Sequence, residues 1–333
     1  VVLAALAGGC SGGDAPREGP SGQSSAAIID GRASAAQQNY VVAIVYPVTT
    51  GTALCSGSLV APDLVLTARH CVSATADTGF SCDASGNGTD GGAIGADHDP
   101  ASVLIYVGRD APTALTRPSA HAVRFFHDDA TNLCDHDLAL VELSQPIAGA
   151  PLATLDLDSP VVAGQTITAI GWGVTRTGSP PGVRQQRTGI PVLAVGPATE
   201  PSGFDVAPGE FSVGESTCLG DSGGPALDAA GAVIGVVSSG GNRTTPTATD
   251  LASACVGPSA VNLYTEVAPF RGLILEAFAA VGAAPIRVGV PPPAAAGCRA
   301  ARVPGETPVE WLAGCAALVT LGIGRRRGRR RAG

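Results

Sequence analysis

The chain has 333 residues, enough for one globular domain with tails and no second domain required. Every basic residue is arginine, and residues 28 to 285 carry 10 Arg against 24 Asp and Glu, a net charge of −14. That balance excludes a nucleic-acid partner, which needs a basic patch, and suits a soluble acidic surface. Glycine and proline are abundant, with 45 and 26 residues, and aromatics reach only 4%. Short apolar runs recur between turn signals, which favours an all-β fold.

In chain order, an apolar start runs into Leu6-Ala7-Gly8-Gly9-Cys10. This resembles a bacterial lipoprotein signal whose cysteine is acylated, although Leu6 sits one position further out than usual; a plain signal peptide is the other reading. Residues 11 to 27 then read as a Gly/Ser-rich pro-segment or tether. Strand-like runs follow at Tyr40–Tyr46 and Leu59–Leu66, the latter leading into Leu66-Thr67-Ala68-Arg69-His70-Cys71. The loop Asp83–Asp90 places oxygen-bearing side chains at alternate positions around a glycine, like the start of a calcium loop. The closing Glu of such a loop is absent, with Ile94 in its place, so a surface insertion is the competing reading. After a strand at Val103–Val107, an acid opens an alternating strand in Asp135-His136-Asp137-Leu138-Ala139-Leu140-Val141. Then come Cys218-Leu219-Gly220-Asp221-Ser222-Gly223-Gly224-Pro225, a strand at Ala232–Val237 and a helical stretch over Val267–Val281. Residues 286–310 form a Pro/Ala-rich linker. Residues 311–333 combine a short apolar run, too short for a stable span, with six arginines between 325 and 331. With Cys298 ahead of it, this tail resembles a bacterial, myxobacterial-type sorting signal that retains a protein at the cell surface. A disordered basic tail, or a Cys298–Cys315 bridge, would be the plainer alternatives.

A serine between glycines on a tight turn can present its hydroxyl and nearby backbone N–H groups to one carbonyl, the arrangement acyl transfer needs. Serine is a weak nucleophile, so it requires a base, and the base requires an orienter. Histidine, aspartate and serine occur here in one of the known chain orders for such a triad. On these motifs the chain resembles the chymotrypsin-family (trypsin-like) serine endopeptidases over about residues 28 to 285. The resemblance implies two packed six-stranded antiparallel β-barrels with a short C-terminal helix. It makes Ser222 the nucleophile, His70 the base and then acid, and Asp137 the orienter, in preference to the neighbouring Asp135. The oxyanion hole would be the N–H groups of Gly220 and Ser222. Ile28-Ile29-Asp30-Gly31 resembles the family's mature N-terminus, whose freed Ile28 amine would pair with Asp221 and form the pocket. Ala27, not a basic residue, precedes it, so activation by the enzyme itself or by a small-residue-preferring protease is expected.

The family's primary pocket has its base six residues before the nucleophile. In trypsins that residue is Asp; here it is Ser216, with Thr217 beside it, Gly240 leaving the wall open and Asn262 at another wall position. An uncharged pocket points to non-basic substrate residues, with Glu215 as a nearby acid that could change this. Ser238-Ser239-Gly240 resembles the strand that binds the substrate backbone, with Ser239 where the family usually has Trp. Arg69 stands where the family usually has Ala, and its charge would oppose an imidazolium on His70.

Nine cysteines and a secretory-looking start indicate an oxidising compartment. The resemblance pairs Cys55 with Cys71 and Cys218 with Cys255; Cys82 and Cys134 have no family counterpart and are expected to pair with each other. No CxxC spacing or clustered histidine suggests a metal. Calcium is the one cofactor raised, through the Asp83 loop. The expected partners are polypeptide substrates and an activating protease, with surface attachment through either tail and a monomeric state. Two other functions compete. One is a catalytically silent relative that binds, although no triad member is lost. The other is an esterase-like acyl hydrolase, although no strand-to-helix nucleophile elbow is found.

Overall fold

The computed structural model describes residues 28–289, except 50, 76–78, 177–181, 201, 243, 246 and 248. The first barrel comprises β1 (Val41–Val48), β2 (Gly51–Ala61), β3 (Leu64–Thr67), β4 (Leu104–Tyr106), β5 (Ala120–Phe126) and β6 (Ala139–Leu143). They close in the order β5-β6-β3-β2-β1-β4, every neighbour antiparallel. The second comprises β7 (Thr166–Gly171), β8 (Gln185–Val195), β9 (Glu210–Gly214), β10 (Pro225–Leu227), β11 (Val233–Gly241) and β12 (Val261–Glu266). Its order is β8-β7-β10-β11-β12-β9, and pairing of β8 with β9 closes it. One helix, α1 (Arg271–Ala280), follows. This is the expected all-β, double-barrel architecture.

Apolar runs without polar alternation are explained by burial on both faces. In β3, Leu64 and Leu66 face the core shared by the barrels and α1, while Val65 faces the interior of the first barrel. Leu140 and Val141 of β6 divide in the same way, as a side-chain period of two requires. The run Leu59–Leu66 is two strands, because Pro62 lacks a ladder donor and the chain turns at Pro62-Asp63. The helix starts four residues later than the expected Val267, because Pro269 disfavours helical geometry in the residue before it. Once begun, it buries Ile274, Ala277 and Phe278 on one face.

Arg184, fully buried, ties the barrels together. Its guanidinium donates to Ser34 Oγ (2.7 Å), Val41 O (2.9 Å), Gly108 O (2.8 Å), Ala35 O (2.9 Å) and Asn39 Oδ1 (3.1 Å). Burial pushes its pKa down to about 10, and the five bonds offset the lost hydration.

The disulfides are Cys55–Cys71, Cys82–Cys134 and Cys218–Cys255. Among the described residues no helix is long and apolar enough to cross a membrane. Cys10, the segment 1–27, most of the linker 286–310 and the tail 311–333 lie outside the described residues.

Candidate active site

Strand pairing places His70 beside Asp137. Thr67 of β3 lies opposite Ala139 of β6, so His70, three residues on, meets Asp137, two residues back. His70 sits in the one-turn 3₁₀ segment Arg69–Cys71, pinned by the Cys55–Cys71 bridge to β2. The imidazole Nδ1 lies 2.8 Å from Asp137 Oδ2, and the His70 backbone N–H donates to Oδ1 at 3.0 Å. A third donor, Ser238 Oγ, reaches Oδ2 at 2.7 Å. Burial opposes the charge on both partners, yet each outweighs that cost for the other. The net pKa shift is upward for His70, through Asp137, and downward for Asp137, through His70 and Ser238.

Asp135 is turned elsewhere. It has a positive φ of 56°, and its carboxylate lies 2.9 Å from His136 Nε2, while His136 Nδ1 lies 2.6 Å from Asp128. Arg69 is also committed away from the imidazole, donating to Ser73 Oγ (2.6 Å) and Asp128 O (2.8 Å) and pairing with Asp97 at 3.6 Å.

Ser222 lies on the turn that leads into β10. Gly220 has φ +99° and Gly223 has φ +75°, values that side chains other than glycine rarely adopt. A Cβ on Gly223 would also collide with Thr67 Oγ1, Ser56 O and Ala68 N, so the turn packs hard against the first barrel. Ser56 N–H donates to Ser222 O (2.7 Å) and Ser56 Oγ to Gly220 O (3.0 Å). Within the turn the N–H groups of Asp221, Gly223 and Gly224 donate to Cys218, Val237 and Asp221 carbonyls. Among the described residues, those of Gly220 and Ser222 take no part in this bonding.

Asp221 is fully buried behind the turn. Burial pushes its carboxyl up to about 7, against N–H donors from Cys218 (2.9 Å), Gly173 (2.7 Å) and Ile28. Gly171 and Gly173 permit this approach, since a Cβ on either would strike the carboxylate. Ile28 is buried in the interior of the second barrel, and Ile29 N–H donates to Ser216 O at 2.8 Å.

Ser216 is fully buried, with Tyr264 beside it. Thr217 Oγ1 bonds Asn262 Oδ1, and Asn262 Nδ2 donates to Gly214 O at 3.3 Å. Asn262 lies opposite Gly240, whose φ is +149° and whose Cβ would meet Val261 O and Asn262 Cα. Gly240 is therefore imposed by strand contact. Glu215 points away from this polar set: its carboxylate pairs with Arg176 and accepts from Gly257 N–H. Ser239, partly exposed, follows Ser238 on the same strand. In the Asp83 loop, one carboxylate oxygen accepts from both Ser85 and Asn87 N–H (2.9 Å each), which closes the turn.

Several contacts were not legible from motifs. Ser238 was expected only through its backbone, yet its hydroxyl reaches an acid 101 residues away. Arg176 and Arg187 contact the 28–30 segment and the Glu215 loop across distances no local pattern encodes.

The family model for trypsin matches residues 28–255. β12, which completes the second barrel, and α1 lie beyond that match. A trypsin from Saccharopolyspora erythraea is 25% identical over 260 residues, covering 75% of this chain and 97% of that relative. A trypsin from Phaedon cochleariae is 29% identical over 244 residues, covering 67% and 78% respectively. A protein C activator from Agkistrodon piscivorus leucostoma is 26% identical over 257 residues, covering 74% and 84%. With the double barrel in place and the family model spanning most of it, this chain belongs to the trypsin family of chymotrypsin-like serine proteases.

Proposed function

We propose that the chain is an exported serine endopeptidase, secreted or held at a cell surface, that cleaves polypeptides beside non-basic residues. The hydrogen-bonded chain Ser238–Asp137–His70, which joins β11 of the second barrel to the part of the first barrel against which the Ser222 turn is packed, carries this reading. His70 Nε2 takes the Ser222 Oγ proton as that oxygen attacks the scissile carbonyl. Asp137 keeps the other ring nitrogen protonated and stabilises the imidazolium. The resulting oxyanion accepts from the N–H groups of Gly220 and Ser222. His70 then gives its proton to the departing amine, leaving an acyl-enzyme. Water, deprotonated by the same imidazole, attacks the acyl carbon, and Ser222 leaves with the proton back on its oxygen. No step needs a cofactor, in keeping with the family.

The preference for non-basic residues rests on Ser216, Thr217 and Asn262, which are uncharged, and on Glu215, which is already paired with Arg176. Peptides with Ala, Leu or Phe at the cleavage position should outperform those with Arg; a strong preference for Arg would overturn this assignment. Activation would free Ile28, whose amine would replace the present amide donor to Asp221 with a cation. N-terminal sequencing of active protein should therefore begin at Ile28. A fluorophosphonate tests the function directly. It should label processed protein and fail on Ser222→Ala, whereas no labelling of the processed protein would favour a silent, binding relative.

A further inference from the structure

Two arginines join the Ile28–Asp30 segment to the loop at the base of the pocket. Arg176 donates through Nε and one terminal nitrogen to both carboxylate oxygens of Asp30, at 2.8 and 2.7 Å, and the same terminal nitrogen pairs with Glu215. Arg187 donates through one nitrogen to Ile29 O (3.2 Å) and Glu215 O (2.7 Å). One arginine thus bridges the side chains of the two segments, and the other bridges their carbonyls. Between these bridges, Ile29 N–H donates to the carbonyl of Ser216. Glu215 is further fixed through Gly257 N–H, two residues beyond Cys255 and its bridge to Cys218. The bidentate geometry on Asp30 suits guanidinium and not ammonium, and Arg176 holds the Asp30 carboxyl below its ordinary range.

We propose that Arg176 and Arg187 form a clamp that couples docking of the Ile28–Asp30 segment to formation of the pocket at Ser216, with Arg176 as a positioning residue. Its part in catalysis rests on the protease reading above; its part in coupling the two segments does not. Loosening one segment should release the other, because both are held by the same cations. An enzyme whose pocket is formed only part of the time binds substrate more weakly by that fraction, yet turns over normally once saturated.

The test uses processed enzyme beginning at Ile28, with Arg176→Gln, Arg176→Lys and Glu215→Gln. Arg176→Gln should raise KM by roughly two- to fivefold with kcat nearly unchanged, the scale of a partly exposed ion-pair network. Arg176→Lys should recover part of the loss, and Glu215→Gln should reproduce it. A lowered melting temperature with unchanged KM would show a merely structural role and overturn the proposal. Hydrogen exchange on processed Ser222→Ala protein separates this outcome from failure of the protease reading, since it needs no turnover. With Arg176→Gln added, exchange in 28–31 and 214–217 should rise together. Faster exchange in only one segment, or in neither, would refute the clamp.

Discussion

The two halves of the site handle a buried acid in opposite ways. In the first barrel, Asp137 faces His70 across paired strands and also accepts from Ser238, and its pKa falls below the ordinary value despite burial. In the second barrel, Asp221 is equally buried but its described partners are backbone N–H groups, and its carboxyl is pushed up to about 7. Partial dipoles soften the loss of hydration; a facing ionisable partner reverses its effect. The first half is therefore assembled by its own strands, the Cys55–Cys71 bridge and one hydroxyl from β11 of the second barrel. The second, on the activation proposed above, is conditional on what stands at Ile28.

The largest effects should come from removing the reacting groups. Ser222→Ala and His70→Ala should each lower kcat by roughly four to six orders of magnitude with the fold retained, since neither packs the core. Single-turnover rates and circular dichroism check both statements. Asp137→Asn should cost about 10⁴-fold, because the amide favours the wrong imidazole tautomer. Near-normal rates in that variant would move the role to Asp135, which the geometry pairs with His136.

How much of this contrast was legible in the sequence depended on distance along the chain. His70, Asp137 and Ser222 each sit in a local motif, β3 reads as part of an apolar run, and β6 reads as an alternating strand. The double barrel followed from family resemblance, because burial on both faces of β3 erases the alternation that normally marks a strand. The five acceptors of Arg184, the hydroxyl of Ser238 and the clamp arginines were illegible for another reason. Their partners lie tens of residues away or more, and a lone Arg or Ser carries no local signature of what it will meet.

The contrast between the acids also predicts a stability difference. Asp221 holds its proton better in the fold than in the unfolded chain, where its value is 3.8. Asp221's contribution to the stability of unprocessed protein should therefore decline as pH rises from about 4 to about 7, by on the order of 4 kcal/mol, and level off above. In processed protein the Ile28 amine supplies a cation, and that decline should shrink. Glu210, whose carboxyl burial also pushes up to about 7, contributes alike to both forms, so the difference between their denaturation curves is the quantity to read. Equal slopes would show that Asp221 gains no charge partner on processing. Asp221→Asn should remove the Asp221 share of the unprocessed decline and leave that of Glu210.

The smallest effect expected on the triad itself comes from Ser238, which β11 of the second barrel brings to Asp137. Ser238 Oγ donates to the same Asp137 oxygen that faces His70 Nδ1. Ser238→Ala removes one of the interactions that hold Asp137 ionised, and the remaining charge acts more strongly on the imidazole. The His70 pKa, already raised by Asp137, should rise further, so the acid limb of kcat/KM should move to higher pH. Loss of one hydrogen bond to a charged group sets the drop near neutrality at roughly tenfold, far below that of Asp137→Asn, because the Nδ1 contact and the His70 backbone donor both remain. An unchanged acid limb with a lower plateau would mean that Ser238 only positions Asp137. An unchanged profile throughout would show that the first barrel holds its acid without this hydroxyl.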